Sequence, residues 1–387
     1  MSKWFQKTVK KPIVVMGIET SCDDTCCSVV NENKIIEGDY ISSQIELHKK
    51  FGGIYPNEAK RAHKQHIEIA INSALQQSGR SWEDLSGLAV TIGPGLAPCL
   101  TVGLEKAKYL SKLHNLPLIP INHLEAHCLM TRLTEEDLEF PFLVLLVSGG
   151  HTQLLVCQNV DNYVQLGSCM DDSLGEAFDK VLRVLDRGFY NKGKEYQGVM
   201  PPLLENSEKM HPGNILEILA RNGNPKTFPL PEPLLHQKNC DFSYAGIKTA
   251  VLRTTKKVIE EQNSCLTIGQ VSDIAASFQA IAVKHLLTRT ERAIKWTETN
   301  VPDCKTLVVS GGVARNEYLR DNFSNFIESK EKWKILFPPP QLCTDNGVMV
   351  AWSGIEKLKC GFNQVDIEEI GILPKWPLDR SIIKFLV

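Results

Sequence analysis

No apolar run in this 387-residue chain approaches the roughly 20 residues that a helix needs to cross a bilayer, so a membrane-spanning helix is excluded and no membrane partner is expected. Excess charge of either sign is also lacking. A formal net charge of -2 and a pI near 6.6 exclude a chain-wide basic surface that would bind nucleic acid by charge alone, although local basic patches remain open. Paired CxxC spacing is missing: the 12 cysteines stand singly or as the neighbours Cys26 and Cys27. That usage fits reduced thiols inside a cell and argues against a disulfide scaffold or a zinc ribbon. Neither GxxxxGKS/T nor GxGxxG occurs, which disfavours P-loop and Rossmann enzymes, and the zinc-protease pattern HExxH is absent.

What is present is enough chain for two good cores. Residues 1–12, MSKWFQKTVKKP, carry four lysines, no acid and no arginine, and read as a basic tail or the remnant of a mitochondrial transit peptide. From Ile13, "IVVMGIETSCDDTCCSVV" reads as strand, small acidic turn, strand. The plan recurs in "FLVLLVSGGHTQLLVC", so residues 13–140 and 141–387 are expected to form two related halves. Between those openings, strands alternate with helical stripes such as Ile67, Ala70, Ile71, Ala74 and Leu75, a stripe that stops at Gly79. Alternation of this kind implies α/β architecture with largely parallel sheets and a ligand crevice at the strand ends. The stretch 187–240, rich in Gly, Pro and Asn, reads as irregular, within a partly helical excursion of the second half around 187–265.

Three apolar strands end in small residues: Gly17–Asp24, Ser148–Thr152 and Ser310–Asn316. Turns without Cβ atoms let backbone N–H groups approach a phosphate, and three of them point to a nucleotide site. "GPGL" at 93–96 reads as a structural turn.

"INHLEAHCL" sets two histidines four residues apart. Asn122 is a helix cap and Glu125, three residues on, completes a capping box, so His123 and His127 share one helical face. The helix dipole there opposes protonation and favours the neutral imidazole that a metal needs. A pair at this spacing is either half of a metal site or a hydrogen-bonded structural pair. A third ligand is offered by Asp345 in "CTDNGVMVAW", where a loop ends and a helix begins; the competing reading makes Asp345 that helix's N-cap. Two histidines and one carboxylate with open positions suit Fe(II), with zinc tolerated.

These stretches, together with "GIETSCDDT", "VSGGHTQL", "GEAFDK", "DFSYAGIKT" and "SGGVARN", resemble the tRNA N6-adenosine threonylcarbamoyltransferase family, formerly described as O-sialoglycoprotein endopeptidases, over about residues 13–378. "CTDNG" resembles the bacterial and mitochondrial branch. The resemblance implies an actin-like, Hsp70-like and sugar-kinase-like fold of two ribonuclease-H-like halves with a ligand cleft between them. It also implies transfer of threonylcarbamoyl from threonylcarbamoyl-adenylate, made by a separate enzyme, to N6 of adenosine 37 in tRNAs that read codons beginning with A. One divalent metal per subunit, a homodimer and a mitochondrial location are expected with it. The metal ligands implied are His123, His127 and Asp345. Leu146, Val147, Ser148, Gly149 and Gly150 would line the adenylate, Asp179 and Asn316 would contact its nucleoside, and Asp23 and Asp24 would orient the attacking amine.

Departures from the family pattern are Asp24 in place of Glu, Ala126 in place of Gly, Ala245 in place of Ser, and Gly188–Leu204 where a "PGG" substrate loop is usual. Two other readings compete: an actin-like-fold kinase or ATPase, which leaves the His pair unexplained, and a non-catalytic nucleotide-bound scaffold of a tRNA-modification complex. For tRNA, the local basic groups are Lys49, Lys50, Lys60, Arg61 and Lys64, and separately Arg253, Lys256 and Lys257.

Overall fold

A computed structural model describes residues 11–49, 53–189, 210–362 and 366–379. The basic tail up to residue 10 and most of the stretch replacing the substrate loop, 190–209, lie outside the described residues. No helix among the described residues is long and apolar enough to cross a membrane.

The chain divides into two compact units. One runs to Ser43 and continues through Tyr55–Leu129 and Asn346–Trp376. Its sheet is built from β1 (Val14–Glu19), β2 (Asp24–Asn31), β3 (Ile36–Ser43), β4 (Gly87–Gly93) and β5 (Leu118–Asn122), in the order β3-β2-β1-β4-β5. The first three strands pair antiparallel, whereas β1–β4 and β4–β5 are parallel. β1 and β4 are buried along their whole length, which is why their sequences are continuous apolar runs; the edge strand β3 is mostly polar and open.

Helices α2 (Pro56–Ser78), α3 (Ala97–His114) and α10 (Gly347–Lys359) pack with this sheet. The stripe Ala59, Ala62, His63, Ile67, Ala70, Ile71 and Ala74 is the buried face of α2, and Gly79 ends the helix at φ 65°. α10 lies against β1 at Gly17, where a Cβ would stand 2.3 Å from the backbone nitrogen of Ala351. Gly17 belongs to β1 and its missing side chain makes room for a helix, a different task from the phosphate approach expected of it.

The other unit comprises Gln44–Ile54, Met130–Asp345 and the chain from Pro377. Its strands β6 (Phe142–Val147), β7 (Thr152–Asn159), β8 (Asn162–Ser168), β9 (Thr306–Ser310) and β10 (Lys334–Leu336) are ordered β10-β9-β6-β7-β8. The pairing senses repeat those of the first sheet strand for strand. Helices α1 (Ile45–Lys49), α5 (Leu174–Phe189), α6 (Pro212–Arg221), α7 (Ala245–Gln262), α8 (Ile268–Asn300) and α9 (Glu317–Glu328) belong to the same unit. Phe178, Phe278, Leu286, Leu307 and Phe323 anchor its core. α8, 33 residues long, starts on a capping box between Thr267 and Gln270.

Candidate metal centre

Strand β5 ends at Asn122, whose Oδ1 accepts hydrogen bonds from the backbone N–H groups of Leu124 (2.9 Å) and Glu125 (3.3 Å). The cap starts helix α4 (His123–Thr134) directly on the first histidine and turns His127 onto the same face one turn later. The two imidazoles lie 4.8 Å apart, edge to face, and both residues are buried. Asp345 directly precedes Asn346, and the N-cap of α10 is Asn346, whose Oδ1 accepts from Met349 N at 2.8 Å. The capping role that competed for Asp345 thus belongs to its neighbour. One ligand atom from each of His123, His127 and Asp345 lies within 4.8 Å of the others. Two imidazole nitrogens and one carboxylate oxygen at such spacing fit a divalent iron or zinc ion.

Glu125 points elsewhere. Its carboxylate lies 3.1 Å from Nζ of Lys357 on α10, both side chains at most 5% exposed, so the glutamate of "HLEAH" is one half of a buried ion pair.

Sequence reasoning missed Glu19 in this site. The last residue of β1, it is buried, and its Oε2 stands 3.3 Å from Nδ1 of His123. Ser21 Oγ is 3.2 Å from the same nitrogen. Glu19 sits inside the quoted "GIETSCDDT", yet no local spacing signals its partner 104 positions away.

Asp23 and Asp24 are half-buried and flank the start of β2. Their turn is fastened from α2: the ring of buried His63 reaches Thr25 Oγ1 (2.8 Å, Nδ1) and the Cys22 carbonyl (3.0 Å, Nε2). A carbonyl only accepts, so Nε2 carries the proton and Nδ1 accepts from the threonine hydroxyl.

In the other unit, Leu146 and Val147 are fully buried at the end of β6. The next residues form a tight turn: Ser148 N donates to the His151 carbonyl (2.8 Å), and Ser148 Oγ accepts from His151 N (3.1 Å). Gly149 and Gly150 are exposed at its tip. α5 begins against this turn, with Ser173 Oγ donating to the Gly149 carbonyl at 2.5 Å. A Cβ on Gly175 would come within 2.8 Å of Gly149 Cα, which explains the glycine of "GEAFDK". Asp179 is half-buried on α5. Asn316 is buried and caps α9: its Oδ1 accepts from Leu319 N (2.8 Å) and its Nδ2 donates to Gln279 Oε1 (2.9 Å). Each of those atoms keeps capacity for one further hydrogen bond.

The model of the family described as tRNA N6-adenosine threonylcarbamoyltransferase matches residues 36–352. The chain belongs to that family. Relatives include a probable mitochondrial tRNA N6-adenosine threonylcarbamoyltransferase from Arabidopsis thaliana, 40% identical over 96% of this chain and 76% of the relative. The mitochondrial enzyme from Homo sapiens is 42% identical, covering 96% of this chain and 87% of its own length. A bacterial member from Pelagibacter ubique is 39% identical, covering 96% of both. Among solved structures, full-length HypF in its phosphate- and nucleotide-bound form superposes with a TM-score of 0.53 at 14% identity, over 92% of this chain and 57% of that one. HypF from T. kodakarensis gives 0.51 at 16%, over 91% and 50%. At such identity the likeness concerns fold alone: the expected actin-like architecture is borne out, and the family's matched span takes in His123, His127 and Asp345.

Proposed function

We propose that this protein transfers the threonylcarbamoyl group from threonylcarbamoyl-adenylate to N6 of adenosine 37 in tRNAs that read codons beginning with A. The observation that carries the reading is the convergence of His123, His127 and Asp345 in a chain about 40% identical to enzymes of that name. A divalent iron or zinc ion held by these three residues would supply positive charge for the donor's phosphate. The protein's own groups then have distinct tasks. Backbone N–H groups of Gly149 and Gly150 are suited to hold donor oxygens, because the turn tip is exposed and free of side chains, whereas the Ser148 N–H is taken by the His151 carbonyl. Asp179 is suited to accept from ribose hydroxyls, and Asn316 to add a hydrogen bond to the base. Asp23 and Asp24 orient the exocyclic amine, on a turn kept in place by His63 and Thr25.

In the transfer, the amine nitrogen forms a bond to the carbamoyl carbon, the carbon–oxygen bond to phosphate breaks, AMP leaves with the electron pair, and the amine gives up one proton. The donor comes from a separate adenylate-forming enzyme, and the protein acts as a homodimer. A mitochondrial location is supported by relatives named as mitochondrial in Arabidopsis and human; tracking the tagged full-length protein in cells tests it, and a diffuse cytosolic signal would contradict it. Incubating the purified protein with substrate tRNA and threonylcarbamoyl-adenylate, then digesting the tRNA for mass spectrometry, tests the activity. Appearance of threonylcarbamoyl-adenosine is expected. Adenylate consumed without modified tRNA would favour a nucleotide-hydrolysing relative instead.

A further inference from the structure

We propose that Glu19 is a positioning residue: it fixes the tautomer of His123 so that the Nε2 lone pair faces the divalent ion. This rests on the metal-centre reading above.

Glu19 is 1% exposed at the end of β1, and a carboxylate that deep is costly unless it is fully engaged. Two short hydrogen bonds hold it: Oε1 accepts from Ser21 N and Oε2 from Thr91 Oγ1, each at 2.5 Å. Ser21 lies on the following turn and Thr91 on the neighbouring strand β4, so the carboxylate plane is set by a backbone N–H on one side and a side-chain hydroxyl on the other. Oε2 is then 3.3 Å from His123 Nδ1, with Ser21 Oγ at 3.2 Å from the same atom. An ionised carboxylate can only accept, so Glu19 bonds the ring only when Nδ1 carries the proton; with the proton on Nε2, the Ser21 hydroxyl alone could donate to Nδ1 and the carboxylate would face a lone pair. A neutral imidazole with its proton on Nδ1 has its lone pair on Nε2. Histidine free in water prefers the opposite tautomer; Glu19 reverses that preference before any ion arrives. Once an ion is bound, the carboxylate's charge raises the basicity of the coordinating ring. The alternative is that Glu19 merely ties the turn after β1 to β4 through Ser21 and Thr91, which predicts no influence on the ring.

Nitrogen-15 spectra of the imidazoles in metal-free protein separate the two. His123 is expected as the Nδ1–H tautomer, and finding it as Nε2–H would overturn the proposal. Titration with Zn²⁺ or Fe²⁺ gives the second readout. Glu19→Gln removes the charge at constant size and is expected to weaken binding by roughly 10- to 100-fold. Thr91→Val leaves the charge and removes only one anchor; it should weaken binding in the same direction but less, and serves if Glu19→Gln does not fold. Wild-type protein that binds the ion while Glu19→Gln and Thr91→Val bind it equally well overturns the proposal alone. Wild-type protein that binds neither ion, with His123 still Nδ1–H, overturns the metal-centre reading and the proposal with it.

Discussion

The carboxylate of Glu125 and the ammonium of Lys357 face each other at 3.1 Å with almost no access to water. Glu125 lies between the two histidines on α4, and Lys357 lies on α10, the helix that Asp345 leads into. The pair therefore joins the two helices associated with the three proposed ligands. Removing one member strands the other charge in the interior, which typically costs about 3–5 kcal/mol. Lys357→Met should lower stability by that order in urea melts run with chelator, so that metal plays no part. Adding Glu125→Leu to it should recover most of the loss; a double variant as unstable as the single one would show that the pair is not a coupled unit.

Thr25 and His63 supply a smaller test. Thr25→Val keeps the shape of the side chain and leaves the buried Nδ1 of His63 without its donor, at a cost of about 1–3 kcal/mol. Denaturant unfolding measures this. No change in stability would mean that the Asp23–Asp24 turn is held by other interactions.

Histidine 285 sets an acid limit on stability. His285 is buried on α8 against the rings of Phe242 and Tyr244 and accepts from Ser243 N through Nε2 at 3.3 Å. Burial, then the nearby charge of Arg289, lower its pKa to about 4, with a smaller lowering from Arg292 and opposing contributions from Glu232 and Asp171. The unfolded chain thus binds a proton near pH 6.5 that the folded protein refuses until about pH 4. The stability tied to neutral His285 is complete above about pH 6.5 and is lost progressively as pH falls towards 4. His285→Gln should flatten stability against pH across that window, and an unchanged slope would contradict the assignment.

On α2, Arg61 and Lys64 are exposed and Lys60 half-buried, and Arg61 already pairs with Glu58 at 2.7 Å. If this face meets tRNA phosphates, replacing all three by glutamine should reduce the slope of log affinity against log salt by roughly 0.7–0.9 for each phosphate that is no longer neutralised. An unchanged slope would place tRNA elsewhere.

Much of the site could be read from local sequence because its signals are local. Asn122 before "HLEAH" foretold a helix with His123 and His127 on one face, and strands ending in "VSGG" foretold the exposed tip at Gly149 and Gly150. What escaped depends on residues far apart in the chain. Glu125 looks like a capping partner three residues from Asn122, and only the packing of α10 reveals Lys357 opposite it. Glu19 and Thr91 read as strand residues, since nothing nearby announces a histidine 104 positions on from the glutamate. Gly17 carries the same ambiguity: a glycine near the end of an apolar run suits a phosphate or a crossing helix equally, and inside β1 the helix has it.

Under the proposed function, His123, His127 and Asp345 together hold one ion on which transfer depends. This dependence is tested most directly by stripping the protein with chelator, restoring Zn²⁺ or Fe²⁺, and measuring bound metal and tRNA modification for wild type and Asp345→Ala side by side. Because Asn346 caps α10, Asp345→Ala should melt close to wild type. Wild type is expected to recover about one ion per chain and its activity together, while Asp345→Ala recovers little of either. An Asp345→Ala protein that regains both metal and transfer would contradict the account.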